Sequence, residues 1–305
     1  ALFGSLDAHA ATTSTATMGL RPGNNPMMGR ADEKKMADLH ARISQDTFDS
    51  AVQENIDEFE MEPEEALADA IQQFETQGVN LSNIIKRVPG APESDDPPAV
   101  LAVRKLQTAL ATTAESDTAE EEELDEAFGT GRMKLMFMKI ETDQVQGVAE
   151  AAAELRSECQ KDKQQLTLVQ FNGAVDALTS TCLSLIDTPS ALPVALEALA
   201  VIISDAEARE QFGVRGICAL SALLRRHADC APVLTAGFHA ARSAMLVHEV
   251  HRQQFVSSAG LMKTIVGAMR AHADKKDTFL AACGALRATT LADDMRARTS
   301  KGLEQ

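Results

Sequence analysis

The sequence predicts an all-α chain whose second half is a helical solenoid. Three observations predict it. Apolar residues recur at spacings of three and four. No segment alternates apolar and polar residues at period two for the length of a strand. The second half also repeats itself with a period in the low forties.

Residues 1–38 read as a flexible or partner-ordered arm, rich in Ala, Thr, Gly and Met without a clean period. A transit peptide is the weaker reading, because Arg appears there only at Arg21 and Arg30, and Pro22, Gly23, Pro26 and Gly29 break any amphipathic helix. Residues 39–88 form a helical hairpin. Phe48, Val52, Ile56 and Phe59 make one apolar stripe, and Ser44 or Asp46 caps its start. Pro63 suits the first turn of the second helix, with Glu64 and Glu65 at its dipole-positive end. Leu67, Ala70, Ile71 and Phe74 are its expected buried face, and Gly78 its stop. Burial of Phe48, Val52, Ile56, Phe59, Leu67, Ile71 and Phe74 is expected, so that Phe59→Asp would undo the hairpin.

Residues 89–130 read as an acidic linker with one short helix over Val100–Leu110. Eight acids stand in the twelve residues Glu115–Glu126, which fit a solvated spacer or, alternatively, a tether for a basic partner. Residues 131–305 are the repeat region. Leu135, Met136, Ile140, Val145 and Val148 are expected to begin its first helix, and Leu166–Leu185 is a further strongly apolar one.

The repeat rests on Ala208–Asp229 paralleling His251–Asp274. Arg209 and Phe212 match Arg252 and Phe255 at an offset of 43. Gly216 and Gly260 follow and are expected to turn the chain between helices, while the two phenylalanines wedge into the core. Helices rich in small residues come next, over Pro232–Leu246 and Asp277–Leu291, with an earlier one over Ala191–Ile203. Two main helices per unit at this period fit armadillo or HEAT repeats rather than ankyrin or tetratricopeptide units.

Arg42–Lys86 resembles the N-terminal region of the armadillo repeat-containing protein 6 family, and His248–Gly260 and Cys283–Arg296 resemble that family's repeats. The resemblance implies an armadillo-like solenoid acting as an adaptor or scaffold. It also implies that the chain holds the N-terminal half of such a protein, with further repeats beyond Gln305. Residues 1–38 are an addition to the family pattern.

Composition narrows the function. The 305 residues are 45% hydrophobic and 24% charged, with no Trp and no Tyr, which argues against aromatic platforms for bases or sugars. No apolar run reaches membrane-spanning length. The net charge of −16 disfavours DNA or an anionic membrane as the main partner. That charge is uneven: residues 201–305 carry 14 basic against 10 acidic residues, the first 200 carry 15 against 35. Cys159, Cys182, Cys218, Cys230 and Cys283 show neither disulfide nor zinc spacing and read as small buried residues in a reducing compartment.

No catalytic grammar emerges. His248 and His251 stand three apart, not four as in H-E-x-x-H. Gly129-Thr130-Gly131 completes no phosphate loop and reads as a hinge, and Asn80-Leu81-Ser82 is an isolated sequon. Armadillo proteins that read basic peptides place a Trp and an Asn four apart on each third helix. The matching pairs Glu197/Val201, Gly237/Ala241 and Gly284/Ala288 hold neither, which argues against an import receptor. His239, Arg242 and Arg287 project nearby and are the candidate protein-binding residues. The expectation is therefore a non-enzymatic scaffold binding other proteins, without cofactor, metal, nucleic acid, membrane or small-molecule substrate. Its expected setting is the cytoplasm, within a large assembly such as a ciliary (axonemal) or cytoskeletal complex, or partly the nucleus. The competing class is an enzyme with a repeat-groove site built from His239, His248 or Cys283.

Overall fold

A computed structural model describes residues 42–114, 119–125, 132–138, 140–257 and 261–290, all within one unit that begins at Arg42. The arm 1–38, the glycines of the 129–131 hinge, Gly260 and the segment 291–305 lie outside the described residues.

Ser44 accepts a hydrogen bond from the Thr47 amide at 3.1 Å and opens α1 (Gln45–Phe59). Pro63 opens α2 (Pro63–Thr76), where its missing N–H costs nothing. Gly78 takes φ +77° just beyond, the left-handed conformation that ends a helix cheaply. Phe48, Val52, Ala66, Ala70, Leu81 and Ile84 form this hairpin's core. The expected stripe is corrected at its end: Phe59 is 66% exposed, and Ile56, Leu67, Ile71 and Phe74 are only half-buried. Two short helices meeting through Ala66 and Ala70 share a narrow seam. Asn55 fills its last turn instead, donating to the Ala66 carbonyl at 3.3 Å and the Asp69 carboxylate at 3.4 Å.

The hairpin is tied to the remainder of the unit by polar and apolar contacts. Arg42 Nη1 donates to both Glu207 carboxylate oxygens, at 2.7 and 2.9 Å, and the guanidinium lies 5.3 Å from the centre of the Phe171 ring. Ile85 packs with Val100 and Leu168, and the Gln45 side chain bonds both its amide and its carbonyl. Asp96, whose side chain is fully buried, sits between Arg87 at 3.0 Å and Arg104 at 2.6 Å. That arrangement holds the proline-rich loop onto α3 (Pro98–Ala114), a longer helix than the one expected over Val100–Leu110.

A two-stranded antiparallel ribbon follows, β1 (Ala119–Asp125) and β2 (Arg132–Met138). It corrects the helix expected to begin near Leu135 and Met136. The register sets Lys134 opposite Glu123 and Arg132 opposite Asp125.

Beyond the ribbon the described residues are all-α: α4 (Val145–Lys161), α5 (Gln164–Phe171), α6 (Ala174–Ser184), α7 (Leu192–Ile202), α8 (Ala206–Arg226), α9 (Ala231–Met245), α10 (Glu249–Ser257), α11 (Leu261–Ala271) and α12 (Lys276–Thr289). Gly173, at φ +80°, splits the apolar segment expected as one helix into α5 and α6. Gly213, at φ +52° and ψ −162°, breaks α8 into two limbs, so the turn is there and not at Gly216.

Gly216 serves close packing instead. A Cβ at this position would enter the Phe212 ring. The three units thus begin at Gln164, Ala206 and Glu249, each with two helices behind and a third in front. The third helices α7, α9 and α12 stack in succession, with α4 against α7, over one core running from Ala99 to Ala288. This is the all-α, armadillo-like solenoid that the period predicts.

The open face of the third helices as candidate interaction site

Each third helix is rich in Ala and Gly because its two flanks touch neighbours. The back is as close: a Cβ on Gly237 would stand 2.7 Å from Leu224 Cδ2 of α8. In α9 the residues Ala236, Gly237, Ala240, Ala241 and Ala244 are all buried. The groove positions assigned from the sequence are therefore corrected at Gly237, Ala241 and Ala288, which face the core rather than solvent. No Trp occurs in the chain, and α7, α9 and α12 contain no Asn, so the argument against an import-type groove survives the correction.

The candidate residues do lie on solvent. His239 and Arg242 are the exposed positions in the second half of α9, whose flanks are taken by α7 and α12 and whose back rests on α8. Arg287 is exposed on α12. Arg242 and Arg287 each stand twelve residues past their helix's N-cap, Cys230 and Lys275, and so occupy equivalent places on adjacent helices. The Arg242 stem lies against α12: a Cβ on Gly284 would stand 3.5 Å from Arg242 Cδ, an ordinary van der Waals contact. Among the described residues no carboxylate pairs with either arginine. One unit earlier, by contrast, Arg156 and Glu197 neutralise each other across α4 and α7.

Two other arginines of the repeat are used internally. Arg209, 6% exposed, donates to the carbonyls of Ile203 at 3.3 Å, Ser204 at 2.7 Å and Ser243 at 3.0 Å, tying the ends of two successive third helices. Arg252 donates to the Met245 carbonyl at 3.2 Å and to Glu249. The repeated arginine is thus a cap for the preceding helix's last carbonyls. Phe212 and Phe255 are buried as wedges, as expected.

The two histidines of His248–His251 form a joint between units rather than a ligand set. Their rings stack at 3.6 Å between centroids. His248 Nδ1 accepts from the His251 amide at 3.2 Å, which leaves its proton on Nε2, 3.2 Å from Glu210. His251 Nδ1 donates to the Ala244 carbonyl at 2.9 Å. Burial foremost, with His248 and Arg209 beside it, holds the His251 pKa below its usual value, against the opposing pull of the Ala244 carbonyl and Glu210. Burial foremost also lowers His227, whose Nε2 meets the Ile186 carbonyl at 2.7 Å.

A histidine kept neutral by the fold takes up a proton more readily when unfolded. The stability it contributes is therefore present above the unfolded pKa, near 6.5, and is lost as pH falls below it. Urea unfolding should accordingly show a lower midpoint at pH 5.5 than at pH 7.5, and His251→Gln should flatten that dependence. An unchanged slope in the variant would remove His251 from the joint.

The enzyme reading required convergence of His239, His248 or Cys283 in a concavity. The open clefts at Asn55–Gln77, at Glu93–Val148 and at Glu75–Leu168, each of about 500 to 570 Å³, are lined by none of these three. No group of three His, Cys, Asp or Glu able to hold a metal ion occurs among the described residues. Burial foremost, with Glu158 and Asp162 nearby, pushes the Cys159 thiol up to about 12, and burial raises Cys182 further. Neither is a nucleophile near neutral pH. Among the described residues no helix is long and apolar enough to cross a membrane.

Comparison with known proteins agrees with this architecture. Residues 40–123 match the family model described as Armadillo repeat-containing protein 6 N-terminal domain. Over 258 residues the chain is 34% identical to Armadillo repeat-containing protein 6 of Pongo abelii and 33% identical to that of Homo sapiens, covering 84% of this chain and 45% of each relative. It is 29% identical over 231 residues to the Drosophila melanogaster homolog, covering 74% of this chain and 43% of that protein. The chain thus spans about half the length of the curated relatives it matches. No solved structure gives a significant match. With the N-terminal domain in place and the identity extending through the repeats, this chain belongs to the armadillo repeat-containing protein 6 family.

Proposed function

We propose that this protein is a non-enzymatic scaffold that binds other proteins on the open face of its third helices, through His239, Arg242 and Arg287. The observation that supports this reading is the pair Arg242 and Arg287, equivalent on adjacent helices and without a carboxylate partner among the described residues. A matched pair of arginines is suited to carboxylates supplied from outside, because each planar guanidinium can take a carboxylate in a two-pronged hydrogen bond. Third helices packed side by side stand about 8–10 Å apart. An extended partner segment advances about 3.3 Å per residue, so acidic side chains two to four residues apart would meet both guanidinium groups. The five free cysteines suit a reducing, cytoplasmic setting, and a subunit role in a ciliary or cytoskeletal assembly is the form of scaffold we favour.

Charge reversal tests the face. The R242E/R287E variant should lose at least tenfold in the recovery of co-purified partners from native extract. The control R215E/K263E, with equal charge change on exposed residues of the rear helices α8 and α11, should not. Equal recovery by both variants would move binding off this face.

A further inference from the structure

The N-terminal hairpin carries a surface that neither the repeat nor the scaffold reading uses. From Gln45 to Thr76 the chain holds eleven carboxylates, on Asp46, Asp49, Glu54 and eight more residues, and no Lys, Arg or His. Among the described residues only Glu75 is countered by a basic side chain, Lys86 at 3.6 Å. Within this acidic surface Phe59 stands 66% exposed at the last turn of α1. Its ring lines an open cleft of about 570 Å³ together with Asn55, Met61, Asp69, Gln72 and Gln73. Phe59 is not a spare part of the hairpin core, because Asn55 already closes that seam. A largely exposed aromatic ring forgoes favourable free energy that burial against a partner would recover. Aromatic anchors of this kind, ringed by polar groups, dominate the energetics of protein interfaces.

We propose that the Phe59 cleft is a docking site for a basic amphipathic helix of a partner protein. Both halves of that description follow from the surface. The uniform negative charge selects Lys and Arg on the partner and repels acidic segments. Two antiparallel helices leave a groove along their seam that a third helix fills, presenting apolar side chains at helical spacing to Phe59 and Met61. Its basic positions would then reach the carboxylates of Glu58, Glu62 and Asp69 around the rim. Nucleic acid is repelled by the same charge, and a lipid surface would have to be cationic.

The site is testable because its anchor is dispensable for folding. Phe59→Ala and Phe59→Asp should melt within about 1 °C of the wild type, since an exposed side chain adds little to stability. The probe is a fluorescent 16-residue helical peptide of Lys, Ala and Leu with its leucines on one face, titrated into the full 305-residue chain at 0.15 M salt. The wild type should bind it, and Phe59→Ala should weaken binding at least tenfold. The same peptide with Ser in place of Leu should bind the wild type no better than it binds Phe59→Ala. Equal binding of the leucine peptide by Phe59→Ala and wild type, or equal binding of both peptides, would reduce the surface to diffuse charge and overturn the site. So would an absence of binding at 0.1 mM peptide. A variant that unfolds would show Phe59 to be a core residue, which also overturns the proposal.

Discussion

Arg209→Leu should lower the unfolding free energy by about 3 kcal/mol, read as a shift of the urea midpoint at constant slope. The guanidinium is buried and serves three carbonyls, on Ile203, Ser204 and Ser243. Leucine restores the apolar volume of the stem but leaves those acceptors without a donor where water does not enter freely. Burial pulls the Arg209 pKa down, and Asp205 and Glu210 pull it back, so the charge is retained in place. Lysine should not rescue the variant, because one ammonium cannot span carbonyls at the ends of two helices. The equivalent Arg252→Leu should cost less, about 1–2 kcal/mol, since Arg252 serves a single carbonyl and spends its other bonds on the half-exposed Glu249. Equal costs at the two positions would mean that the three-carbonyl cap is not what holds the units together.

The second large effect concerns Phe212 and Gly216. Phe212→Ala empties a buried site and should cost about 3–5 kcal/mol. Gly216→Val should cost about 2–3 kcal/mol, because its side chain must enter the Phe212 ring or push α8 off its neighbours. The double variant should cost clearly less than the two together, since the valine methyl groups occupy part of the space the ring vacates. Strict additivity in a double-mutant cycle would show that the glycine acts through the chain turn after all.

Much of this architecture is legible in the residues because helix period and repeat period are local properties of the chain. Ser44, Pro63, Gly78 and the offset between Phe212 and Phe255 are each decided within a few positions of sequence. What escapes sequence reading depends on contacts between distant positions. The turn inside the second unit falls at Gly213 rather than Gly216, since either glycine permits a turn and only the Phe212 ring decides between them. Phe59 and Asn55 are neighbours on one helix, and which of them is buried depends on where α2 crosses. The pairing of Arg42 with Glu207 joins residues 165 positions apart, which no periodicity reports. The open face is intermediate: Arg242 and Arg287 could be picked out by charge, whereas the burial of Gly237 depends on Leu224 and Leu196, on helices packed against it.

Photo-crosslinking from the His239 position tests the scaffold function most directly. A benzoylphenylalanine placed there, on the exposed face of α9, would be activated in cells expressing the chain, with the same group at Arg215 on the rear layer as the control. The account predicts protein adducts at 239 and few at 215, with the adduct peptides rich in Asp and Glu and lost in the R242E/R287E background. Adducts at 215 alone, or none at either position, would contradict a scaffold that works through this face.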